Sequence, residues 1–191
     1  MIAIVSGLPR SGTSLMMQML VAGGMVPLAD GERTADADNP RGYLEWERIK
    51  TLPRDPGCIA EAEGKVVKVI SKLLLALPAG HEYRVVFMER PMPEVLASQA
   101  KMLERRGVAE SRAPQPPAAD HAIAAAFEKH LQEVYVWLET TPQVKSLRLG
   151  YHSVLADPAS AANQLKKFLG IGLNSAAMTE AVDASLYRNR G

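Results

Sequence analysis

Four short apolar runs rich in β-branched residues punctuate the chain, at residues 2–5, 66–70, 84–88 and 144–149. Each is continuous enough to be a strand buried on both faces, as in a parallel sheet, rather than one alternating between core and solvent. Between them the period changes. Ile123, Ala126, Phe127, His130, Leu131, Val134, Trp137 and Leu138 recur at three- and four-residue spacing, which draws one apolar stripe along a long helix. His130 on that stripe reads as a core residue rather than a ligand. Met92, Val95, Leu96, Gln99, Met102 and Leu103 form a second stripe, in a helix that can begin at Pro91, where a missing N–H costs nothing. A third helix is predicted over residues 158–169, stopped by Gly170, and a short one from Ser175. Residues 109–119, with Pro114, Pro116 and Pro117, read as a surface loop. Strands separated by helices predict a single α/β domain over residues 1–191, with a central, mostly parallel sheet flanked by helices.

Composition narrows the classes of function. The 191 residues are 47% hydrophobic and 23% charged, the make-up of one domain with a real core, which excludes disorder, collagen and a disulfide-stapled miniprotein. Twenty-two Lys and Arg against 21 Asp and Glu leave a net charge of +1, so nothing global points to nucleic acid or membrane, and any basic site has to be local. Cys58 is the lone cysteine, which rules out an internal disulfide and a cysteine-rich zinc site and fits a reducing compartment. The first apolar run has no basic flank and is too short for a signal core or a membrane span, so a cytoplasmic location is expected.

The first strand runs directly into Gly7-Leu8-Pro9-Arg10-Ser11-Gly12-Thr13-Ser14, and a helical run follows over residues 15–21. In a strand–glycine loop–helix arrangement the glycines let the backbone curl until successive N–H groups and the helix N-terminus face one anion, with the Thr13 and Ser14 hydroxyls adding donors. The two glycines have the five-residue spacing of a P-loop, yet Thr13 stands where nucleotide triphosphatases carry lysine, and the nearby cation is Arg10. Further along, a strand ending at residue 88 delivers Arg90 to the carboxyl edge of the sheet, the edge on which ligands of open α/β sheets bind. Ser98 follows two helical turns later and offers a hydroxyl toward the same group. Taken singly, Arg90 reads as an ion-pair partner of Glu94 and Ser98 as a solvated helix residue; the conjunction with the glycine loop favours a second anion site on the same edge.

These segments resemble the sulfotransferases that use 3′-phosphoadenosine 5′-phosphosulfate (PAPS), a family with a P-loop-type three-layer fold. Residues 9–14 are similar to that family's Pro-(Lys/Arg)-Ser-Gly-Thr-(Thr/Ser) loop, which holds the donor's 5′-phosphosulfate. Arg90 and Ser98, eight residues apart in an Arg-x-Pro…Ser segment, resemble the pair that binds the 3′-phosphate. Tyr151, Asp157-Pro158 and Phe168-Leu169-Gly170 are similar to the family's C-terminal stretch. By the same resemblance Arg10, Ser11, Gly12, Thr13, Ser14, Arg90 and Ser98 bind the donor, Lys68 sits beside the sulfuryl oxygens, no metal is required, and Arg188 and Arg190 belong to a late basic segment that folds over the phosphates. The departure lies at Ile70, where cytosolic members place a histidine base. Other branches use a glutamate in a Gly-Glu segment after the first helix, which makes Glu32 the first candidate base, with Glu45 and Asp38 as rivals on the same stretch. The acceptor, a hydroxyl or amine, is not legible.

Two other readings stand beside this one. Residues 85–89 pass for an acidic metal-holding strand end, as in a P-loop kinase or hydrolase, although Thr13 in place of lysine removes the usual clamp on the β- and γ-phosphates. The missing histidine also allows a catalytically inactive nucleotide-binding module.

Overall fold

The computed structural model describes residues 1–32, 42–105 and 117–183. Its centre is a four-stranded, all-parallel sheet in the order β2-β1-β3-β4, with β1 Ile2–Gly7, β2 Val66–Lys68, β3 Tyr83–Glu89 and β4 Val144–Gly150. Every residue of β1 is buried, as its central position requires. The period of two sorts side chains between the sheet faces: Ala3 and Val5, with Val86 and Met88 beside them, enter one core, and Ile2 and Ile4, with Val85 and Phe87, enter the other.

Helices cover both faces, which gives the three-layer α/β architecture expected of the sequence. The first core packs β1 and β3 against α1 Thr13–Ala22, α5 Tyr151–Ala156, α6 Pro158–Leu169 and α7 Ser175–Glu180. The second packs the opposite face against α2 Ser71–Leu74, α4 Pro117–Thr140 and two 3₁₀ segments, Glu47–Thr51 and Pro56–Ala62. α3, Met92–Arg105, leaves the end of β3. α6 begins where Asp157 accepts a hydrogen bond from the Ser160 amide at 2.9 Å and ends at Gly170 in a left-handed conformation, so both of its boundaries are side-chain and backbone caps written in the sequence. No helix among the described residues is long and apolar enough to cross a membrane.

Two boundaries differ from the sequence reading. The strand predicted over 66–70 ends at Lys68: Val69 still donates to the Val5 carbonyl at 3.0 Å, but the Ile70 carbonyl already accepts from Leu73, which opens α2. The loop predicted over 109–119 gives way at Pro117, because proline is accepted in a helix's first turn; residues 109–116 lie outside the described residues.

This topology positions the site. β1 leads through α1 on one face to β2 at one edge, whereas β3 leads through α4 on the other face to β4 at the opposite edge. The winding therefore changes direction between the adjacent strands β1 and β3, and a crevice is left at their carboxyl ends, where ligands of doubly wound sheets bind.

Candidate functional site

The glycine loop starts at the carboxyl end of β1 and opens α1. Gly7 and Gly12 have φ of 152° and 102°, and Arg10 between them has φ of 70°. A non-glycine residue in the left-handed region costs about 1 kcal/mol and survives where surrounding contacts fix it. Here they do: the Arg10 carbonyl accepts from Arg90 Nη1 at 3.1 Å, and its side-chain Nε donates to Ser98 Oγ at 2.9 Å. No side chain caps the start of α1 and no acidic residue lies in its first turn, so no side chain offsets the positive end of its dipole.

Inside the loop the packing is tight. A Cβ on Gly7 would stand 2.3 Å from Ser11 Oγ and 2.7 Å from the Met88 carbonyl oxygen, so only glycine fits where the loop closes against β3. A Cβ on Gly12 would stand 2.4 Å from Cδ2 of Tyr151. The Ser11 hydroxyl, on a residue 1% exposed, has no hydrogen-bond partner, and neither has that of Ser6 at the end of β1. Buried hydroxyls without partners cost about 1–3 kcal/mol each, so donors held this way in an uncapped loop suit an anionic ligand that would accept from them. A cavity of about 30 Å³ adjoins the loop between Ser11, Glu89, Arg90 and Tyr135.

Three cations converge on this edge, and all are held. Arg90, just past β3, donates from Nε to Glu94 at 2.9 Å and lies with its guanidinium carbon 4.6 Å from the centre of the Tyr151 ring. Ser98, buried two turns along α3, receives the Arg10 hydrogen bond. Lys68, at the end of β2, is buried and donates to Ser14 Oγ at 3.0 Å, to the Tyr43 carbonyl and to Glu45 Oε1 at 3.4 Å. Next to Arg90, Glu89 is engaged by Arg148 at 2.7 Å and by Tyr135. Burial and then the Glu89 hydrogen bond push the Tyr135 hydroxyl up to about 12.

Arg10, Ser11, Gly12, Thr13, Ser14, Lys68, Arg90 and Ser98 thus lie along one sheet edge. Glu32 is exposed, and its backbone N–H donates to Asp30 Oδ1 at 3.1 Å. Asp30 also accepts from the Glu47 amide, which with the Glu32 amide holds its carboxyl below the ordinary value and ties Asp30 to the start of the first 3₁₀ segment. Glu45 is a carboxylate that reaches Lys68, at 3.4 Å. Asp38, Arg188 and Arg190 lie outside the described residues. His130, half-buried on α4, bonds Ser71 at 2.9 Å, and burial lowers its pKa, as befits a core histidine. Glu94 and His152, which the sequence did not single out as site residues, stand in the network around Arg90; the i,i+4 spacing from Arg90 signals Glu94, and nothing local signals His152. No protein-family model matches the chain, and a search of the curated proteins finds no match. The functional reading therefore rests on the residues themselves.

The close approach at Gly7 is testable. Gly7→Ala should lower stability by about 2 kcal/mol or more, well beyond Gly24→Ala, where φ is 104° but a Cβ meets nothing within 4 Å. Urea denaturation of both variants measures the difference, and equal losses would show that the contact with the Met88 carbonyl is relieved at no cost.

Proposed function

We propose that this chain is a sulfotransferase that moves a sulfuryl group from PAPS to a hydroxyl or amine acceptor. The observation that carries the reading is the junction of the two anion-binding segments: Arg10 of the glycine loop bonds Ser98, and Arg90 bonds the Arg10 carbonyl. A donor with phosphates at both ends of its ribose needs two anion sites in one crevice, and the glycine loop beside Arg90 and Ser98 meets that need. The unpartnered Ser11 hydroxyl and the uncapped start of α1 suit the 5′ group.

When bound, the donor supplies an activated sulfuryl group and leaves as adenosine 3′,5′-bisphosphate. The chain's own groups position and stabilise charge. Arg10 and Lys68 flank the loop as fixed cations. Glu45, in ion-pair contact with Lys68, is the carboxylate best placed to take the acceptor's proton, and it replaces Glu32 in that role. It also answers the objection raised by Ile70, since a base stands near Lys68 without a histidine in the strand. The kinase-like alternative is weakened by Glu89, whose carboxylate is engaged by Arg148 and Tyr135 rather than turned out toward a metal.

Calorimetric titration tests the donor. Adenosine 3′,5′-bisphosphate should bind without divalent metal and more tightly than ATP with Mg²⁺, and Arg90→Ala should weaken it by roughly 1.5–3 kcal/mol while leaving adenosine 5′-phosphate nearly unchanged. Equal losses for the two ligands would remove Arg90 from the 3′-phosphate role.

A sulfate-transfer assay tests the base. Glu45→Gln should keep donor affinity and lose turnover by about a hundredfold, with Glu32→Gln close to the parent. The reverse ranking returns the role to Glu32.

A further inference from the structure

The Glu94 carboxylate is shared between a guanidinium and an imidazole. Its Oε2 accepts from Arg90 Nε at 2.9 Å, and its Oε1 meets Nε2 of His152 at 2.7 Å. Arg90 carries a guanidinium on a side chain only 6% exposed, whereas the His152 imidazole is on a side chain 48% exposed. The network spans three elements: Arg90 at the β3–α3 junction, Glu94 on α3 and His152 on α5, next to the Tyr151 ring on which the Arg90 guanidinium lies. Arg90 is a charged group beside the pair, and Arg10 of the glycine loop lies one contact further, through its carbonyl.

An anion approaching Arg90 meets a guanidinium whose charge is already offset by Glu94. Protonating His152 adds one positive charge next to the Arg90–Glu94 pair. Burial raises Glu94, but hydrogen bonds from Arg90 and His152 outweigh it and hold the carboxyl below its ordinary range, so Glu94 stays ionised while imidazoles titrate. We propose that His152, acting through Glu94, is a positioning residue for Arg90 that makes the affinity of this anion site depend on the imidazole's protonation, with the imidazolium form binding a phosphate more tightly. The proposal rests on the reading of Arg90 as the contact to the donor's 3′-phosphate.

The sign follows from charge: affinity rises as pH falls through the imidazole range, and the added charge also lifts His152's own pKa once the anion is bound. The test is calorimetric titration of adenosine 3′,5′-bisphosphate at several pH values between about 5.5 and 8.5, with wild type and His152→Gln compared at each. Taking the ratio of the two dissociation constants cancels the ligand's own ionisation. The ratio should be near one at the alkaline end and favour wild type by on the order of three- to tenfold at the acid end, the effect of one charge a few ångströms from an anion in a half-exposed setting. Adenosine 5′-phosphate should show no such trend. An NMR titration of the His152 ring should show its pKa rising when the bisphosphate binds. Bisphosphate binding that needs Arg90 but gives a ratio flat with pH would overturn this proposal and leave the sulfotransferase reading standing. A wild type that binds no bisphosphate at any pH would overturn both.

Discussion

The reversal of winding between β1 and β3 is the constraint on which the rest of the molecule depends. With α1 on one face and α4 on the other, the carboxyl ends of these neighbouring strands lie side by side with no crossover between them. The loop after β1 and the turn after β3 therefore meet, and residues 80 and 88 positions apart in the chain come within hydrogen-bond distance: Arg10 to Arg90 and Arg10 to Ser98. Gly7 permits the contact because the Met88 carbonyl occupies the space that a side chain would need.

Holding three cations along one edge of a small domain is costly unless each is paired. Burying an ion carries a penalty of several kcal/mol, which is offset only by well-placed partners. The structure supplies them locally: Glu94 and the Arg10 carbonyl for Arg90, Glu45 and Ser14 for Lys68, Ser98 for Arg10. The cations are thus fixed before any ligand arrives, as electrostatic preorganisation demands. In the proposed reading the same pairing would moderate anion affinity, with Glu94, beside His152, and Glu45, beside Lys68, competing with the incoming group.

What the sequence made legible was what short spacing encodes. The strands at 2–5 and 84–88 emerge with small extensions because β1 and β3 form the continuous, doubly buried centre of the sheet, and 144–149 emerges as β4 at an edge, where Val144 and Leu149 are buried while Lys145 and Arg148 are exposed. The glycine loop and the Arg90–Ser98 pair were visible for the same reason, each being a local pattern. The short helices α2 and α5 were missed: four and six residues are too few to show a period, and their start is set by the strand ending beneath them. The end of β2 shifted because the Ile70 carbonyl is taken by the Leu73 amide as α2 opens. The roles of Glu45 and His152 depend on contacts across 23 and 58 residues, which no spacing within a motif reports. The backbone amides of Glu32 and Glu47 both donate to Asp30, a link that spacing within a motif does not report either.

The most direct test of a single crevice with two anion sites is a crystal structure of the protein with adenosine 3′,5′-bisphosphate. The expected result has the 5′-phosphate on the amides and hydroxyls of the glycine loop, with Ser11 turned to donate to it, and the 3′-phosphate on Arg90 and Ser98 in the same molecule. A nucleotide seated by its 5′-phosphate alone, with its 3′-phosphate in solvent and Arg90 and Ser98 untouched, would contradict it.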